Sequence, residues 1–193
     1  MADPSYIDSD GVLTDGEAWV GIAHASVSLP AATVTWTSTN DGQTGDFSQY
    51  MDLIIIAYAR EANAADYGYL AVRFNNDTGS NYPYQPLLGD GAHAAASAAT
   101  SSHAWMGCVG DSAAANTFGA SVFHMFDINS GKYKSSLNQW AGDDDGNGYV
   151  GIRAGTWNNQ AAITEIDLTP WAGGNILAGS VFSLFGILPR MVA

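Results

Sequence analysis

Residues Gly155 to Leu188 read GTWNNQAAITEIDLTPWAGGNILAGSVFSLFGIL, and two extended segments inside this stretch decide the fold class. From Ala162 to Leu168, Ile163, Ile166 and Leu168 alternate imperfectly with Thr164, Glu165 and Asp167, the pattern of a strand with one buried and one wet face. From Ser180 to Leu188 the run is nearly continuous in Val181, Phe182, Leu184, Phe185, Ile187 and Leu188, which predicts a strand covered on both sides. The connector between them, Thr169 to Gly179, carries Pro170, Gly173, Gly174, Asn175 and Gly179 and cannot continue either strand. The pair reads as the closing strands of a β-sheet domain.

The same signals recur upstream. Trp19 to Leu29 is a strand candidate ended by Pro30, and Thr33 to Thr37 alternates threonines with Val34 and Trp36. Thr39 to Asp46 is a turn. Tyr50 to Ala59, with Leu53, Ile54, Ile55 and Ile56 contiguous, predicts a central strand, and Tyr67 to Phe74 a half-exposed one; a short connection at Asn63 and Ala64 would make them a hairpin. Asn75 to Asn81 turns the chain, with Gly79 available for positive φ. Phe118 to Ile128, Tyr133 to Trp140 and Tyr149 to Ala154 complete the count, with a turn at Gly131. From Tyr82 to Asn116 the periodicity fades, and GDGAHAAASAATSSHAW (Gly89 to Trp105) is biased to Ala, Ser and Gly. That segment is expected to be a long irregular excursion, of the kind that is functional or packs on a partner. Eight to ten strands separated by turns predict an all-β, jelly-roll-like antiparallel β-sandwich. Residues 17–193 form one domain on this reading, and residues 1–16, acidic and turn-rich, an arm or edge segment.

Composition narrows the function. The 193 residues are 47% hydrophobic and include six Trp, nine Tyr and seven Phe, enough for a substantial core. Six Lys plus Arg against nineteen Asp plus Glu give a formal net charge of -13. Nucleic-acid binding needs a cationic footprint that this chain lacks, and an anionic membrane surface is disfavoured for the same reason. The start, MADPSYIDSDG, has neither the basic nor the apolar region of a secretory signal, and no apolar run reaches membrane-spanning length. Cys108, the single cysteine, stands among Trp105, Met106 and Val109 and reads as a buried inert thiol.

Candidate chemistry is sparse. In DDDGNG (Asp143 to Gly148), Asp143, Asp145 and Asn147 alternate ahead of Gly148, like the opening of a calcium loop. The twelfth position of such a loop should be an acid and is Ala154, so an EF-hand is excluded. An acidic hairpin turn remains, either solvated or holding calcium with help from elsewhere. His24, His93, His103 and His124 lack metal-ligand spacing. No Gly-x-Ser-x-Gly elbow and no phosphate-cradling loop occur, and the acids stand mostly in turns; no catalytic residue and no cofactor site is assigned. Trp36, Trp140, Trp157 and Trp171 stand at strand ends or in turns, either as core packing or as a stacking platform.

The closing stretch also carries a resemblance. A Gly-x-Trp segment (Gly155, Trp157), then Ala162, Ile163, Thr164, Ile166 and Leu168, then Gly179, Ser180, Phe182, Ser183, Leu184, Phe185, Gly186 and Ile187, resembles the C-terminal signature of a family of bacteriophage virion proteins. Tyr69 to Tyr82 (YLAVRFNNDTGSNY) matches the same family more loosely. The resemblance implies a jelly-roll-like domain of capsid decoration proteins and tail or fibre components. It also implies a virion structural protein without enzymatic activity, cementing the head shell as a homotrimer in contact with the major capsid protein. The alternative is a tail or fibre module that binds a receptor or glycan, with calcium at Asp143, Asp145 and Asn147 as an open option.

Overall fold

A computed structural model describes residues 19–39, 45–144 and 146–188; the expected arm at residues 1–16 and most of the turn at 39–46 lie outside them. The described residues form thirteen strands: β1 (Trp19–Ser26), β2 (Val34–Thr37), β3 (Asp52–Ala59), β4 (Tyr67–Phe74), β5 (Tyr82–Gly89), β6 (Ala94–Ala96), β7 (Ala99–Ser101), β8 (Ala104–Val109), β9 (Gly119–Met125), β10 (Lys134–Asp144), β11 (Asn147–Trp157), β12 (Glu165–Pro170) and β13 (Val181–Ile187). A 3-10 turn, Phe47–Gln49, is capped by the Asp46 carboxylate, which accepts from the Ser48 N–H at 2.9 Å.

The strands build two antiparallel sheets packed as a sandwich. The larger has nine strands in the order β1-β13-β3-β9-β10-β11-β5-β6, with β7 also pairing to β5; the smaller has the order β2-β12-β4-β8. Between them lies the core, in which Leu53, Ile55, Leu70, Val72, Phe74, Phe123, Ile166, Leu168, Phe182 and Leu184 are all 1% exposed or less. Burying each such side chain stabilises by roughly 1.5–3 kcal/mol.

Several expectations change in three dimensions. The closing pair is not one ladder: β12 pairs with β2 and β4, whereas β13 pairs with β1 and β3, so the Gly-rich connector carries the chain from one sheet to the other. The possible hairpin at Asn63 and Ala64 separates in the same way, with β3 in the larger sheet and β4 in the smaller. β13 buries only one face; Phe182 and Leu184 point into the core while Val181, Phe185 and Ile187 stay partly exposed. The segment 82–116, expected to be irregular, contains β5, β6, β7 and β8. Two of these pair with long neighbours, β5 with β11 and β8 with β4. The strand count is accordingly thirteen rather than eight to ten.

Candidate functional site

Strand pairing sorts side chains onto two faces, and the outward face of the larger sheet is unusual. Cross-strand partners Ile56 and Val122, then Gln139 and Ile152, then Leu87, form one row across β3, β9, β10, β11 and β5. Tyr58, Ala120, Ala141, Val150 and Gly89 form the next row. Five strands at 4.8 Å spacing span about 19 Å. Ile56 is 40% exposed, Leu87 56%, Val122 40%, Val150 61% and Ile152 37%, so the large apolar side chains face solvent. These rows contain no Lys, Arg, Asp or Glu, and all of their residues except Tyr58 line a shallow concavity of about 700 Å³. Solvated sheet faces ordinarily alternate apolar-in with polar-out, and a contiguous apolar face of this kind marks an interaction surface.

The acidic hairpin lies at one end of this face. Asp143 pairs with Gly148 and Asp144 with Asn147 at the tip of the β10–β11 ladder. Asp143 Oδ1 accepts the Gly146 N–H at 3.0 Å, closing the turn, and Gly146 has φ 87°, the left-handed region glycine enters without strain. Asp145 and the side chain of Asn147 lie outside the described residues. No group of three or more His, Cys, Asp or Glu suited to a metal occurs among the described residues.

The histidines are separated. His24 is exposed and bonds Ser183 and Ser26; His124 Nε2 meets the Asp52 carboxylate at 3.0 Å near the other end of the outer face. His93 is exposed and contacts Asp90, while His103 is 6% exposed against the Trp105 ring at 4.4 Å. Burial, with Arg73 and Arg153 nearby, lowers the His103 pKa to about 4 and keeps the ring neutral. Cys108 is buried, and burial raises its thiol pKa well above the ordinary value. Of the four candidate tryptophans, Trp36, Trp140 and Trp157 are buried at 5%, 5% and 1%, and only Trp171 is exposed.

A feature that periodicity does not flag lies beside the core, where β8 at the edge of the smaller sheet lies over β9, β10 and β11. Arg153 points inward from β11 with 7% exposure. Its guanidinium carbon lies 4.9 Å from the Tyr84 ring centroid, 5.1 Å from Trp105, 5.2 Å from Tyr69 and 5.3 Å from Trp140. Burial lowers its pKa, while the Tyr69 and Tyr84 hydroxyls favour the charged form. An arginine in a strand otherwise reads as a solvated residue. What the sequence does contain is the set of strand aromatics and the glycines Gly107 and Gly151, which let Trp140 lie flat between two backbones.

No protein-family model matches this chain, and neither does any curated protein or solved structure. No helix among the described residues is long and apolar enough to cross a membrane.

Proposed function

We propose that this protein is a non-enzymatic virion structural subunit, a capsid decoration or cement protein that associates with copies of itself and with the major capsid protein. The observation that carries the proposal is the uncharged apolar outer face of the nine-stranded sheet. A molecule of formal net charge -13 repels its own copies over most of its surface. A patch without charge is where a second copy approaches with least repulsion, and burying its isoleucine, leucine and valine side chains contributes about 25 cal/mol per Å². The bacteriophage setting, the contact with the capsid protein and the homotrimer rest on the family resemblance of the closing stretch.

The test combines solution mass with imaging. The wild-type chain is expected to run as a trimer by light scattering at micromolar concentration, and Val122→Lys with Ile152→Lys to reduce it to a monomer with little change in melting temperature, since both side chains are solvent-facing in the free subunit. Labelled protein is expected over the head shell of purified particles. A wild-type monomer at every concentration, or an oligomer indifferent to both substitutions, removes the face from this role. Label confined to the tail would overturn decoration in favour of receptor binding.

A further inference from the structure

The cavity beside Arg153 is walled by a buried guanidinium that has no carboxylate partner. It encloses about 360 Å³ and opens between β4, β5, β8 and β11, near the lower end of the range for small-molecule sites. Arg153 and Trp105 line it, and behind that wall three of their N–H donors, Arg153 Nε, Arg153 Nη1 and Trp105 Nε1, are buried without a hydrogen-bond partner. The unpartnered buried acceptor among the described residues, Glu61 Oε2, is not part of its lining. None of the ion pairs of the described residues includes Arg153. The four ring faces stabilise the guanidinium charge but accept no hydrogen bond in its plane, so they leave its unpartnered N–H groups unpaired. An anionic ligand in the cavity would supply the counter-ion that no ion pair of the described residues gives Arg153.

The walls narrow its class. Tyr67, Tyr69, Tyr84 and Tyr149 place phenol groups around the cavity, and phenols both donate to and accept from ring hydroxyls. Trp105 and Trp171, with centroids 5.1 Å apart and planes tilted by 53°, form an angled apolar wall suited to the C–H face of a sugar ring. The rim acid Asp90 is an anion with its oxygens already engaged: its carboxylate accepts the N–H groups of Ala92 at 2.9 Å and His93 at 2.6 Å, and His93 Nδ1 lies 3.2 Å away. Elsewhere on the described surface the exposed cation is Lys132, which already contacts Asp127 at 3.3 Å.

We propose that this cavity binds a carboxylated pyranose, an acidic sugar of the uronate class, with its carboxylate on Arg153 and its ring against Trp105 and Trp171. This goes beyond the assembly reading and stands without it. The full chain is titrated with sodium D-glucuronate, D-glucose and sodium benzoate, following tryptophan fluorescence and the arginine Nε–H resonances. Glucuronate is expected to saturate and to shift the Arg153 Nε resonance, with glucose at least about tenfold weaker, since a charge-assisted contact contributes about 1.5–3 kcal/mol. Trp171→Ala, at an exposed position, is expected to weaken glucuronate binding while leaving the fold intact, and Arg153→Met to abolish the preference for glucuronate over glucose. Should Arg153→Met fail to fold, the wild-type comparison and Trp171→Ala decide. Equal affinity for glucose and glucuronate, saturation by benzoate where glucuronate gives none, unchanged binding by Trp171→Ala, or no saturation by any probe would each overturn the proposal.

Discussion

Lys134 shows how this chain uses its few cations. It is 1% exposed, and its Nζ donates to the carbonyl oxygens of Ser130 and Lys132 at 2.6 Å and of Gln160 at 3.3 Å, tying two loops together. Arg60 does the same for the 111–117 loop, donating to the carbonyls of Asp111, Ala113, Ala114 and Thr117. Glu61, beside it, is the opposite case: fully buried, with Oε1 accepting the Tyr69 N–H at 2.8 Å and Oε2 unpartnered. Burial raises its pKa from 4.5 to about 7, despite the opposing hydrogen bond from Tyr69. Between those values the folded chain keeps a proton that the unfolded chain has released. Stability from this group is therefore full below pH 4.5 and falls as pH rises through 7. Glu61→Gln is expected to gain on the order of 2 kcal/mol relative to wild type between pH 5 and pH 8.5. Urea melts of both proteins across that range check it, because every other side chain is common to the two. Parallel pH profiles would show that Glu61 does not carry the proton.

At the scale of elements, Trp140 of β10 ties three strands together. A Cβ at Gly107 on β8 would lie 2.1 Å from the indole, and one at Gly151 on β11 would lie 2.4 Å from it, so both glycines are required by close approach. Gly107→Ala or Gly151→Ala is expected to destabilise by about 1–3 kcal/mol, whereas Gly131→Ala, with nothing within 4 Å, is the near-neutral control in the same denaturation series. A Gly151→Ala variant as stable as wild type would mean the indole can move aside. These contacts also explain what could be read from the chain. β3, β4, β9, β12 and β13 were legible because their apolar residues cluster or alternate. β5 was not, since Pro83 and Pro86 argue against a strand; its far edge is paired only by the short β6 and β7, and the gap between them falls at Gln85 and Pro86. β6 and β7 are short, exposed and Ala-rich, leaving no periodic signal. β8 breaks alternation because Ala104, Met106 and Cys108 fill its core face while Trp105 and Gly107 share the other face, fitted by shape rather than by hydropathy. The outer face escaped notice for a related reason: the contiguous Leu53 to Ile56 of β3 predicts a central strand, and β3 does lie between β13 and β9, yet it buries Leu53, Ile54 and Ile55 and leaves Ile56 at the surface. Sheet assignment was invisible as well, because the connectors after β3 and β12 look like hairpin loops yet cross between sheets.

For the whole molecule, the mismatch between nine strands and four has two consequences. The aromatic cage of Arg153 fills the space near the edge of the smaller sheet, and the outward side of the larger sheet is apolar and not covered by any of the described residues. The second consequence competes with charge. Five of the six Lys and Arg lie within the described residues, and Arg60, Lys134 and Arg153 are buried, so the solvent-facing surface is more uniformly anionic than the count suggests. Attraction through the outer face is short-ranged, whereas repulsion between copies extends over the Debye length, about 30 Å at 0.01 M salt and about 3 Å at 1 M. Association through an apolar face should therefore tighten as salt screens the repulsion, while association through ion pairs would weaken. Sedimentation velocity from 10 mM to 500 mM NaCl is expected to show the oligomer growing at the expense of the monomer. Val122→Lys should abolish the oligomer at high salt, even though each added lysine lowers the net negative charge and would, by charge alone, favour association. An oligomer that dissociates as salt rises would place the contact on charged groups away from this face, and one that persists in Val122→Lys would place it on another surface of the sandwich.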